Sequence, residues 1–138
     1  MNIVLDSNIL FSALIRDSKT MQIILECDGR FLFPSFVFTE VQKHKNELLE
    51  KSGMIDDDFN GLLDLLLDKM DVVPEGVLLS HKEEAEKIVK DIDPDDALFV
   101  ACALAYEDAV IWSDDKGLKK QSQVRVMDTA EIIEYLKV

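Results

Sequence analysis

Four apolar runs, each closed by polar or turn-forming residues, organise this sequence. Ile3-Val4-Leu5 ends at Asp6-Ser7-Asn8, and Phe31-Leu32-Phe33 is stopped by Pro34. Ala109-Val110-Ile111-Trp112 runs into Ser113-Asp114-Asp115, and Val124-Arg125-Val126-Met127 follows. Short, continuous, β-branched or aromatic runs of this kind predict buried strands, as in a parallel sheet covered on both faces. Val72-Val73-Pro74 reads as a further, minor strand.

Between these runs the apolar positions recur at helical spacing. A helix begins at once after Asn8, through Ile15, and another covers Thr20 to Glu26. Ser35 is placed to cap a helix from about Phe36 to Lys51, with Gly53 beyond its end. Ile55 to Met70 is strongly periodic, and its acidic start, Asp56-Asp57-Asp58, suits the positive end of a helix dipole. Ser80 to Asp91 reads as a charged helix. Asp93 to Ala105 reads as a helix with Asp93 at the N-cap and Pro94 in the first helical position. Thr129 would cap a last helix to about Leu136. Strands alternating with helices, with no linker or repeat between them, predict one α/β domain over residues 1–138 built around a mainly parallel sheet.

Composition narrows the function classes. The chain is 48% hydrophobic and 31% charged, as expected of a globular protein with a real core. No apolar run approaches the ~18–20 residues of a membrane span, so no membrane association is expected. The opening residues lack the basic start and long apolar stretch of a signal peptide. Cys27 and Cys102 stand alone, without metal-ligand spacing, so the expected setting is a reducing cytoplasm. A net charge of −13 argues against polyanion binding by the surface as a whole, but fits a chain that gathers carboxylates around a cation.

The acids fall where such gathering is expected. In open parallel sheets, sites form beyond the carboxyl ends of the strands, where the strand order reverses. Asp6 follows the first strand there, and Asp114 and Asp115 follow the Ile111-Trp112 strand. Asp96 lies in the first turn of its helix, and Glu40 lies early in the helix after Phe31-Leu32-Phe33. Taken singly, each has an ordinary explanation: a cap, a wet helix face or an Asp-Gly turn. Together they would repel one another, and no Lys or Arg is interleaved with Asp6, Glu40 or Asp96 at local spacing. The counter-charge is then a bound cation, and all-oxygen donors favour Mg²⁺ or Mn²⁺. Such a site can direct water at a phosphodiester.

At this point the chain resembles a PIN-domain ribonuclease, of the small stand-alone VapC-like kind. The resemblance is carried by an ordered set: Leu5-Asp6-Ser7-Asn8-Ile9-Leu10 at the start, Glu40 after Pro34-Ser35, Asp93 to Ala103, and Trp112-Ser113-Asp114-Asp115. It implies a three-layer α/β/α sandwich, Mg²⁺ or Mn²⁺, and endonucleolytic cleavage of RNA. It also implies Asp6, Glu40, Asp96 and Asp115 as the catalytic, metal-binding acids. Asp114 is the adjacent alternative to Asp115, with the spacing to Ser113 favouring Asp115. Ser7, Asn8 and Ser113 match the polar residues that shape the family's site, and Asp93 could contribute through water. Lys43, Lys45, Lys116, Lys119 and Lys120 are candidate contacts for RNA phosphates, or equally solvated helix charges. Many small PIN domains are toxins that dimerise and are held by an antitoxin protein, so a homodimer and such a partner are expected. The alternative is a catalytically idle PIN domain that binds RNA or protein. A haloacid-dehalogenase-type phosphatase would need a second Asp where this chain has Asn8.

Overall fold

The computed structural model describes residues 1–15 and 18–136. The strands are β1 (Asn2–Leu5), β2 (Arg30–Pro34), β3 (Met70–Val73), β4 (Val110–Trp112) and β5 (Arg125–Met127). The helices are α1 (Ser7–Leu14), α2 (Ser18–Glu26), α3 (Val37–Ser52), α4 (Asp56–Asp68), α5 (Glu75–Val89), α6 (Ala97–Leu104) and α7 (Thr129–Leu136). The sheet order is β3-β2-β1-β4-β5, and every neighbouring pair is parallel.

Each parallel pair is joined through helices, as parallel strands require. The chain steps outward from β1 to β2 to β3, carrying α1 to α4 over one face. It then returns through α5 and α6 to β4, on the other side of β1. The helices α5 and α6 pack on each other, and α6 lies against β1, β2 and β4. The result is the parallel α/β domain expected from the alternating pattern, arranged as the α/β/α sandwich that the resemblance implies.

Burial explains which runs became which strands. Ile3, Val4, Leu5, Phe31, Leu32, Phe33, Ile111 and Trp112 are essentially inaccessible, as the central strands of a sheet covered on both faces must be. β3 is an edge strand with Asp71 and Val72 exposed, which is why its sequence signal is weak. Arg30 reaches across to Asp71, Nε to Oδ2 at 2.6 Å, on this edge.

Several boundaries differ from expectation. α5 begins at Glu75 behind Pro74, five residues before the charged stretch that announced it at Ser80; Gly76 had disguised the first turn. Met70 opens β3 instead of closing α4. Ser35 does not cap α3: the N-cap is Phe36, with no side-chain bond. The reason is packing, since the Phe36 ring sits 5.9 Å from Phe33 and 5.6 Å from Phe99, centroid to centroid. α7 is capped by Asp128, not Thr129, through a capping box: Asp128 Oδ1 accepts from the Glu131 N–H (2.9 Å), and Glu131 Oε1 accepts from the Asp128 N–H (3.2 Å).

Gly53 closes α3 in the left-handed conformation, φ 67°, with its N–H on the Leu49 carbonyl. A Cβ there meets no atom within 4 Å, so strain alone sets the cost of Gly53→Ala. The expected loss is roughly 1–2 kcal/mol, read as a lower urea midpoint at an unchanged slope.

Candidate active site

The strand order reverses between β1 and β4, and their register pairs Leu5 with Trp112. The next residue on each strand, Asp6 and Ser113, therefore leaves the sheet side by side. The Asp6 N–H donates to the Trp112 carbonyl at 3.2 Å, and the Ser113 hydroxyl donates to Asp6 Oδ2. Asp6 Oδ1 accepts the Asn8 N–H at 2.6 Å, capping α1. Both residues are buried, with Asp6 only 6% exposed.

From Ser113 the chain bends back on itself. Ser113 Oγ accepts the Asp115 N–H at 3.1 Å, and Asp115 Oδ1 accepts the Gly117 N–H at 2.8 Å. Asp114 faces the opposite way: its carboxylate takes the Thr129 N–H at 2.8 Å and the Thr129 hydroxyl at 3.0–3.1 Å. Of the adjacent pair, Asp115 lines the cleft and Asp114 does not.

The third approach is the start of α6. Pro94–Asp96 forms a 3₁₀ turn rather than the first turn of a continuous α-helix, with Asp93 capping it by accepting the Asp95 N–H at 3.0 Å. Asp96 then stands at the N-cap of α6 but makes no capping bond. Among the described residues, its Oδ2 is the one buried side-chain oxygen or nitrogen with no hydrogen-bond partner. Helix capping thus does not account for this carboxylate.

These elements and the first turns of α3 enclose a cleft of about 540 Å³. Asp6, Glu40, Asp96 and Asp115 line it, as do Ser7, Asn8, Asp93 and Lys43. Phe36 and Phe99 form apolar wall, while Thr39, Asp95 and Leu98 are lining residues that the sequence did not single out. Thr39 and Asp95 are each next to a singled-out acid, which was the available signal. Glu40 is half-buried, and its Oε2 lies 3.8 Å from His44 Nε2.

The other lysines are placed less directly. Lys45 is paired with Asp56 at 3.3 Å, and Lys119 with Asp128 at 3.4 Å and with Glu131. Those ammonium groups face acids, and neither lysine lines the cleft. Lys116 and Lys120 are exposed and have no acidic partner among the described residues, but neither lines the cleft.

The electrostatics follow from burial and from the neighbouring carboxylates. Desolvation pushes the Asp96 carboxyl up from 3.8 to about 7, reinforced by Asp93, Asp115, Asp6 and Asp95. Burial also raises Asp6, against the opposing pull of the Ser113 hydroxyl and the Asn8 and Ile9 N–H groups, with Asp115 adding to the rise. By contrast Cys102, buried in α6, is pushed up to about 12 by desolvation and is no nucleophile.

The residues fit a hard divalent cation: an all-oxygen donor set, one orphaned buried oxygen, and acids that raise one another. Among the described residues, no three His, Cys, Asp or Glu side chains are closed into a ready-made cage.

Comparison with known proteins agrees with this geometry. The family profile described as PIN domain matches residues 4–137. The chain belongs to the PIN-domain family. This PIN domain also matches a chain in the crystal structure of VapBC2 from Rickettsia felis bound to a DNA fragment from their promoter. The TM-score is 0.67 at 18% identity, covering 93% of this chain and 98% of the other, a likeness of fold. A search of curated proteins yields no significant match. No helix among the described residues of this PIN domain is long and apolar enough to cross a membrane.

Proposed function

We propose that this PIN domain is an endoribonuclease that hydrolyses RNA phosphodiesters with Mg²⁺ or Mn²⁺. The observation that carries the reading is the half-buried Asp96 carboxylate, whose buried Oδ2 is unpartnered in a cleft it shares with Asp6 and Asp115. A fold does not maintain such a group for stability, since an unsatisfied buried oxygen costs about 1–3 kcal/mol. Asp6, Asp96 and Asp115 would hold the metal, with Glu40 available for a second ion. When bound, the ion offsets the charge of the phosphodiester and makes water acidic enough to attack phosphorus.

The chain's own residues do the rest. Ser113 fixes the Asp6 carboxylate and receives the Asp115 N–H, so one hydroxyl sets the orientation of two acids. Glu40, with His44 at 3.8 Å beside it, can orient the attacking water or take its proton. Lys43 is the cation that lines the cleft and would meet a phosphate flanking the scissile bond. The expected effect of Lys43→Ala is weaker RNA binding whose salt dependence falls by about one phosphate contact, measured by anisotropy of a labelled oligonucleotide.

The fold likeness to a chain of VapBC2 supports an antitoxin-like protein partner; a cytoplasmic setting and a homodimer belong to the same proposed reading. The nature of the product ends tests the chemistry. Attack by water leaves linear phosphate ends and needs no neighbouring 2′-hydroxyl. Mass spectrometry of the products, from RNA and from RNA with a single 2′-deoxy residue at the cut, should show linear ends in both. Predominant 2′,3′-cyclic ends, abolished by the deoxy residue, would rule out this mechanism.

A further inference from the structure

The residues just behind the cleft form a brace that no catalytic role accounts for. Trp112 Nε1 donates to Thr129 Oγ1 at 3.0 Å, and the Thr129 hydroxyl donates in turn to Asp114 at 3.0–3.1 Å. The Thr129 N–H adds a bond to Asp114 Oδ1 at 2.8 Å. Trp112 is fully buried at the end of β4, and Thr129 is the first residue of α7. The next strand fixes the same loop, because the Ser113 N–H donates to the Met127 carbonyl at 3.0 Å.

Residues 113 to 115 thus alternate, as on a strand that continues past its last paired residue. Ser113 and Asp115 belong to the cleft side, and Asp114 is tied to the start of α7. Two adjacent aspartates at the end of a strand are chemically equal claimants for the cleft. Asp115 is held on the cleft side by Ser113 Oγ and the Gly117 N–H, and Asp114 is fastened on the other side by Thr129.

We propose that Thr129 is a positioning residue: by holding Asp114 to the start of α7 it assigns Asp115 to the cleft and couples the C-terminal helix to the site. The functional half of this inference rests on the metal-dependent reading above. Its structural half does not, and the two separate by experiment.

The experiment uses the full chain and two readouts. The first is amide hydrogen exchange of Asp115 and Gly117 in metal-free protein, since both N–H groups are bonded only when the loop is in place. The second is the affinity for Mn²⁺ alone, titrated by electron paramagnetic resonance. Thr129→Val removes the hydroxyl at constant shape, whereas Thr129→Ser keeps it. Thr129→Val should speed exchange at Asp115 and Gly117 by tenfold or more. It should weaken Mn²⁺ binding by about 10–100-fold, the usual range for groups that orient metal ligands. Thr129→Ser should stay close to wild type in both.

Asp114→Ala cuts the brace from its other end and also removes the Thr129 N–H bond that Thr129→Val keeps, so it should free the two amides at least as much, and Thr129→Val should add nothing to it in the double variant. The inference is overturned by wild-type exchange and Mn²⁺ affinity in Thr129→Val. It is overturned equally by a Thr129→Ser variant as impaired as Thr129→Val, or by a Mn²⁺ loss in Asp114→Ala well beyond that of Thr129→Val without faster exchange at the two amides, which would make Asp114 a ligand. If the wild type binds no Mn²⁺ while Thr129→Val still frees the two amides, the brace stands and the metal reading falls.

Discussion

Asp96→Asn should lose RNA cleavage by about 10²–10³-fold and yet melt at a higher temperature than wild type in metal-free buffer at pH 7.5. The loss of activity follows from removing one charge of the anionic cleft. The gain in stability follows from the orphaned oxygen: Asn keeps the volume, sheds the charge, and its amide can donate to the neighbouring acids. Because the group is only half-buried, solvent screening holds the expected gain to about 1–2 kcal/mol. For a chain of this size that is roughly 3–7 °C.

The same carboxylate sets a pH dependence. Its pKa is raised from 3.8 to about 7, so between those values the native state binds a proton that the unfolded chain has released. Stability from this site is therefore greatest at the acid end and declines as pH rises through that window. Asp6, also raised, contributes with the same sign. Thermal melts in EDTA should fall from pH 5 to pH 7.5 in wild type and fall less in Asp96→Asn. Added Mn²⁺ at pH 7.5 should recover the loss in wild type alone.

Asp6→Ala should also abolish cleavage, but with the opposite effect on the fold. Asp6 caps α1 through the Asn8 N–H and accepts the buried Ser113 hydroxyl. Losing the cap costs about 1 kcal/mol, and stranding a buried hydroxyl costs about 1–3 kcal/mol more. A total near 2–4 kcal/mol should appear in chemical denaturation, with Asp6→Asn losing clearly less because its amide oxygen can still cap the helix. The two acids thus separate by sign: one stabilises the fold it serves, and the other strains it. Equal destabilisation by Asp6→Ala and Asp96→Asn would contradict this division.

The sheet and the acid cluster were legible in the chain because both depend on local signals. Continuous runs such as Ile3-Val4-Leu5 and Ile111-Trp112 have no stable place except a strand buried on both faces. The acids that end β1 and β4 then meet because those strands are neighbours in register. Less was legible where tertiary packing overrode local preference. Phe36 took the position that Ser35 was suited to cap because its ring fills the space between Phe33 and Phe99. Asp114 is tied to Thr129, a contact that the sequence did not reveal. Spacing to Ser113 pointed to Asp115, whose N–H does bond the Ser113 hydroxyl. The pairing of Lys45 with Asp56, and of Lys119 with Asp128 and Glu131, was likewise not legible from local spacing.

The central claim is that the shared acidic cleft hydrolyses RNA with a divalent ion. Its most direct test is cleavage of a labelled RNA panel by wild type and Asp96→Asn, side by side, in Mn²⁺ and in EDTA. The account predicts cutting by wild type in Mn²⁺, none in EDTA, and a 10²–10³-fold loss in a well-folded Asp96→Asn. Cutting that survives EDTA, or that Asp96→Asn performs as well as wild type, would contradict it.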